Sequence, residues 1–440
     1  MVRPMVRGVI GSPFGGSSFH DGISYSAETG RVVLKAVGAA PTITTLTSAF
    51  TFTGGNQSMY MGPAGLLVAS ATNTPRIEYD ASGNCLGLLM EAARTNLALQ
   101  SQTFDNASWT KSASAVTANQ LAAPDGTTTA EKFDETAGTA VHFMQNALAY
   151  VISAGATYTA TIFAKAGERN FLQIGFDDGT ADGGHATFDL SLGTVTQSAN
   201  KGTGSGIVAS IVSAGSGWYR LRVTTVVSAG ALTGRMFVVL STSGTPGFAP
   251  SYAGTASNGC YIWGAQVEAG AFPSSYIPTT TTSVARTADS CIRTLGSEFS
   301  ATAGTVVVAG RASGGQEAAL GQSVWEFNNN TAAERWRQFR AQGTDTNRTQ
   351  VTVASAALGN MDAGSFTNSA TFKSAAAYAN NDYATSFNGA AVQTLAVAVP
   401  TLSHLNLGMS INAIPMNGHI RRFDYYPTRQ PNPFLVSASA

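Results

Sequence analysis

Charge is scarce in this chain. Asp, Glu, Lys and Arg make up 11% of its 440 residues, and 25 basic side chains balance 25 acidic ones. A neutral chain presents no basic surface to a nucleic acid or an anionic lipid, so neither is expected as a partner. Cysteine is scarcer still. Cys85, Cys260 and Cys291 are odd in number, far apart and without a CxxC pair. They exclude a disulfide framework and a paired-cysteine zinc site, and they fit folding in a reducing compartment. No apolar run approaches the ~20 residues of a membrane span. The opening "MVRPMVRGVIGSPFGGSSFHDG" lacks the apolar core of a signal peptide. The expectation is a soluble product of the cytoplasm that inserts in no membrane.

Catalytic signatures are missing as well. His20, His142, His185, His404 and His419 are scattered singly, and HExxH, GxSxG and phosphate-loop patterns are absent. The glycine-rich "GTGSG" at Gly202–Gly206 precedes no helical pattern, so it is loop composition and no phosphate cradle. A non-enzyme without a cofactor is expected. The acidic run "FDDGTADGG" holds Asp177, Asp178 and Asp182. It admits a calcium site or a glycosidase pair. Without a bidentate Glu at loop spacing, it reads instead as a solvated hairpin loop, and neither Ca²⁺ nor any other metal is expected.

Helical periodicity is rare, whereas strand alternation is common. In "YTATIFA", Tyr158, Ala160, Ile162 and Ala164 share one face, and Thr159, Thr161 and Phe163 the other. "NFLQIGF" aligns Leu172, Ile174 and Phe176, and "YIWGAQVEAG" aligns Tyr261, Trp263, Ala265 and Val267. Turn residues close each run. Glycine, at 47 residues, exceeds its usual share of about 7% and suits many tight turns. Short strands at this spacing predict an all-β chain with two antiparallel β-sandwiches in series.

Four segments are expected. Residues 1–95 read as an irregular attachment arm with short strands. Within them "LGLLMEAARTNLAL" reads as a short helix or a buried apolar segment. Residues 96–278 read as a first sandwich, ending in "YIWGAQVEAG". In 279–295 a threonine-rich linker follows the proline-punctuated "AFPSSYIP", with Tyr276 and Ile277 pinning it to the domain's flank. Residues 296–440 read as a second sandwich. There Asn388-Gly389 marks a hairpin turn, and "NGHIRRFDYYP" shows the mixed parity of a β-bulge.

One stretch carries a resemblance. Pro75–Asp80 ("PRIEYD"), Gly87–Glu91 ("GLLME"), Arg94–Leu97 ("RTNL") and Phe104–Trp109 ("FDNASW") are similar to a segment recurrent in tailed-phage and prophage virion proteins. "GWYRLRVT" and "YIWGAQVEAGAFPSSYIPT" resemble the rest of that module. The end of the chain, "LNLGMSINAIPMNGHIRRFDYYPTR", resembles a concanavalin A-like or laminin-G-like sandwich. The resemblance implies a carbohydrate-binding-module-like jelly roll followed by a lectin-like domain, in a tail fibre, head spike or minor structural protein. It implies a virion location, contacts with other virion proteins through the arm, self-association as a homotrimer and adhesion to a host surface glycan. The rival readings are an architectural decoration protein without sugar affinity and a polysaccharide depolymerase.

Sugar sites need aromatic faces beside hydrogen-bonding groups. Trp218 shares strand parity with Arg220 and Arg222 in "WYRLRVTTV", so these three form one candidate platform; the alternative makes Trp218 core. Trp336 with Arg340 is a second candidate. Asn381, Asp382 and Tyr383, with Asn380, are a third, at a loop tip of the second sandwich. Trp109 and Trp263 read as core.

Overall fold

The computed structural model describes residues 20–146, 150–179, 182–228, 230, 233–312 and 321–440. Nearly all regular structure among them is antiparallel β, arranged as two sandwiches. The first pairs a seven-stranded sheet, with strands Phe171–Asp177 and Thr233–Ser241 at its centre, against a six-stranded sheet. The latter runs in the order Ser114–Leu121, Ala130–Glu135, Gly259–Ala269, Thr157–Lys165, Trp218–Val226, Ser205–Gly215. Ile162, Leu172, Ile174, Phe176, Leu221, Val223 and Val238 fill the space between the sheets. The expected face of Tyr158, Ala160, Ile162 and Ala164 points inward.

The second sandwich packs a ten-stranded sheet on a seven-stranded one. Its core carries Trp325, Phe327, Trp336, Tyr378, Leu405, Ile420, Phe423 and Tyr425. Asn388 and Gly389 both take positive φ, 47° and 73°, and Ala390 N–H donates to Phe387 O at 3.0 Å. That is the hairpin turn an Asn-Gly pair favours. In strand Gly418–Tyr426 the pairing shifts between Ala309↔Arg422 and Gly310↔Ile420, which is the expected bulge.

Three sequence expectations need correction. Residues 1–19 of the arm lie outside the described residues, but 22–53 are no separate arm. Gly22–Ser26 pairs with the last strand (Ile23↔Tyr425), Arg31–Lys35 extends that sheet, and Thr51–Thr53 joins the opposite sheet through Ser290–Thr294. Ile23, Tyr25 and Val32 are buried in the second sandwich's core, and their removal from water drives the docking. The expected linker is likewise part of the fold, because Val284–Arg286 pairs with Arg94–Asn96. Tyr276 and Ile277 are buried as anticipated. Of the two readings of "LGLLMEAARTNLAL", the buried apolar segment holds and the helix does not: Cys85–Met90 is a strand paired with Gly418–Ile420, with Leu88, Leu89 and Met90 buried. Finally, "YIWGAQVEAG" does not keep one face. The register slips between Thr161↔Gln266 and Phe163↔Trp263, around Gly264 at φ +62°. Tyr261 and Trp263 thus pack outside the sheet while Ala265 and Val267 stay inside.

A buried ionic cluster joins the sandwiches. Arg76 Nη1 donates to Glu91 Oε2 at 2.7 Å and its Nη2 to Asp289. Ser275 donates to both Glu91 oxygens, from N at 2.8 Å and Oγ at 2.6 Å. Asn96 Nδ2 bonds Ala265 O and Ile277 O, and its Oδ1 accepts from Val267 N and Ala98 N. Burial alone would raise Glu91, but the charges of Arg286 and Arg76 hold its carboxyl well below the usual range. Arg76, Glu91 and Asn96 of the motifs behind the resemblance are therefore struts of this junction, whereas Phe104 and Trp109 pack in the first sandwich's core.

Candidate functional site

The six-stranded sheet turns its outer face toward the second sandwich. On Trp218–Val226, Leu221 and Val223 point into the core, so Trp218, Arg220 and Arg222 point out. The parity read from sequence holds. Exposure does not: Trp218 is 1% accessible, packed with Phe163, Trp263, Tyr276 and the hairpin residues Met61 and Leu67. Its Nε1 donates to Ala122 O at 3.0 Å. Trp218 is core and no sugar platform.

Past that hairpin the sheet face opens into a cleft of about 330 Å³ between the sandwiches. Its floor holds Thr161, Ser210, Val212, Arg220 and Arg222. Phe272 and Pro273 belong to one wall, and Glu78, Tyr79, Arg311 and His419 face them. Arg220 Nη1 donates to Ser274 O at 2.8 Å and Nη2 to Thr161 Oγ1 at 3.1 Å. Its guanidinium lies 5.5 Å from the Phe163 ring centroid, and its Nε is buried without a hydrogen-bond partner. Arg222 Nε donates to Thr224 Oγ1 at 2.9 Å, and its Nη2 to Ala271 O.

Neither guanidinium has an acidic partner among the described residues. Glu268, the acid that acts most on both, accepts from Ser274 N at 2.9 Å and Ser274 Oγ at 2.7 Å, with Arg94 at 3.6 Å. Burial pushes both arginines below the usual guanidinium range, with Glu268 opposing. On the far wall Glu78 meets His419 Nε2 at 2.6 Å. Asp80 accepts from Ser82 N and Asn84 N, each at 2.9 Å. Both carboxylates of that wall are engaged.

The other predicted residues do not form a site. Trp336 is fully buried, 4.6 Å from Trp325 and 4.7 Å from Tyr378 between ring centroids. Arg340 shares its face as parity required, but that face is the interior. There Arg340 bonds Asp345 at 2.6 Å and Gln322 Oε1 at 3.2 Å. Tyr383 is buried too, its hydroxyl donating to Ala398 O at 3.3 Å. Asn381 and Asp382 stay exposed at the turn, where Asp382 takes a 2.9 Å contact from Arg429. Asp177 is no solvated loop acid. It is buried between Lys201 at 2.6 Å and Arg235 at 2.8 Å. No group of acids, histidines and cysteines among the described residues is arranged to hold a metal.

Sequence reading missed the far wall of the cleft, since Glu78, Arg311 and His419 carry no shared motif. It also missed Phe248, the one exposed aromatic side chain among the described residues. Its place in "GTPGFAP" was the available signal, because an aromatic among Gly and Pro belongs to no core strand.

No protein-family model matches the sequence, and no curated protein is recognisably similar to it. Among solved structures, the Ruminococcus gnavus IT-sialidase CBM40 is 13% identical over 32% of this chain and 85% of its own, with a TM-score of 0.27. Mouse laminin α1 domains LG4-5 are 8% identical over 80% of this chain and 91% of their own, at 0.21. A leech intramolecular trans-sialidase is 12% identical over 32% of this chain and 23% of its own, at 0.25. Likeness at this level transfers no ligand to the cleft.

Proposed function

We propose that the chain is a non-enzymatic structural protein of a virion, of the tail-fibre or spike kind, that holds a host surface glycan in the cleft between its two sandwiches. One observation carries the binding reading: donors on rigid strand positions, Thr161, Ser210, Arg220 and Arg222, share the floor of a solvent-open cleft with the apolar side chain of Val212. Fixed hydroxyl and guanidinium groups suit the hydroxyls of a saccharide, and sites built on strands are pre-organised. The virion reading is supported by the resemblance of residues 75–109, whose buried struts fix the cleft's walls relative to each other. Adhesion would be multivalent, with several copies turning weak single contacts into useful avidity. No helix among the described residues is long and apolar enough to cross a membrane.

Depolymerase chemistry is disfavoured by the cleft's carboxylates, because Glu78 is tied to His419 and Asp80 to its own turn. Glycan-array binding of the full chain tests the proposal. The expected result is retention of a saccharide class that Arg220→Ala with Arg222→Ala abolishes. A wild-type chain that retains no saccharide leaves the decoration reading in its place, and release of oligosaccharides from capsule would establish the enzyme instead.

A further inference from the structure

We propose that the saccharide taken by this cleft is acidic, with its carboxylate lying against Arg220 and Arg222. This rests on the glycan reading above. Arg220 and Arg222 stand two residues apart on one face of a strand next to the sheet's edge, so their side chains leave the sheet ~7 Å apart, a spacing that brackets a carboxylate. Their immobilised donors point to carbonyl and hydroxyl oxygens of the chain itself, which orient the guanidinium groups without neutralising them.

Both side chains are half-buried and neither has a carboxylate at ion-pair distance among the described residues, a costly place for two neighbouring cations. The acids that would relieve them are occupied: Glu268 by Ser274 and Arg94, Glu78 by His419, and Asp80 by amides of its own turn. The Arg220 Nε is buried with no acceptor. An arriving carboxylate supplies the missing charge, which a neutral sugar does not. Charge-assisted, fork-shaped contacts are the stronger kind. Arg311 on the facing wall adds a third cation.

The test uses the full chain and two immobilised series. Glucuronic- and galacturonic-acid oligosaccharides are each presented beside their carboxyl-reduced, neutral counterparts. The expected result is that an acidic member binds at least tenfold more tightly than its reduced partner, and that Arg222→Gln removes this discrimination. Equal affinity within every pair overturns the acidic inference and leaves glycan binding standing. Binding of neutral members alone does the same. Retention of no member of either series overturns the cleft reading as well. The comparison within wild type needs no variant to fold. Competition by inorganic phosphate at concentrations far below those of the saccharide would show a bare anion site and likewise reject the inference.

Discussion

The Arg76 guanidinium sits 2.7 Å from the Glu91 carboxylate, in a cluster that also holds Asp289 and Ser275. Arg76 is 1% accessible and Glu91 7%. Removing the cation leaves two buried acids, Glu91 and Asp289, with only the longer contacts of Arg286, at 3.6 and 3.9 Å. Breaking a buried pair from one side typically costs about 3–5 kcal/mol. Arg76→Ala is expected to lose stability of that order in denaturant unfolding, with faster hydrogen exchange along Val284–Arg286. An unchanged midpoint and slope would show that the junction holds without it.

Glu131 makes stability depend on pH. Its carboxylate accepts from the backbone N–H groups of Phe104 and Asp105. Burial first, and then the nearby Asp105 charge, raise its pKa to about 7. A carboxyl raised in the folded state favours folding below its unfolded value, near 4.5. That contribution is lost as pH climbs through about 7. Glutamine keeps an acceptor oxygen but cannot ionise. Glu131→Gln should therefore gain on wild type between pH 5 and pH 8, by on the order of 2 kcal/mol. The same stability difference at both pH values would refute the assignment.

Trp336 separates core from platform. It packs on Trp325, Phe327 and Tyr378, so Trp336→Ala should destabilise the chain by about 3–5 kcal/mol. Any saccharide bound by the wild type should still be bound by the variant at a temperature where it is folded. A variant that melts like wild type yet loses binding would return Trp336 to the surface.

How much of this was legible turns on what alternation encodes. "WYRLRVTTV" correctly placed Trp218 with Arg220 and Arg222, and "RWRQFR" placed Trp336 with Arg340. Parity cannot say which face is covered. Trp218 is roofed by the hairpin of Met59–Met61 and Leu67–Ala69, more than a hundred positions away in the chain. One residue was enough to break the parity rule in "YIWGAQVEAG". A Cβ on Gly264 would come within 3.0 Å of Phe163 Cδ2 and 3.2 Å of Tyr276 Cζ, and the left-handed φ there favours glycine.

The amino-acid order by itself determined the all-β character, the turn at Asn388-Gly389, the bulge near Arg421 and which side chains share a strand face. Each depends on dihedral preference and a two-residue period, both local properties. Tertiary structure alone decided that Ile23 and Tyr25 pair beside the last strand. It alone brought Ser24 to Asp424, 400 residues further on. It also left Arg220 and Arg222 at the floor of a cleft with no ion-pair partner among the described residues. Which strand pairs with which, and which face loses its water, is settled by contacts between distant segments. No window along the sequence contains both partners.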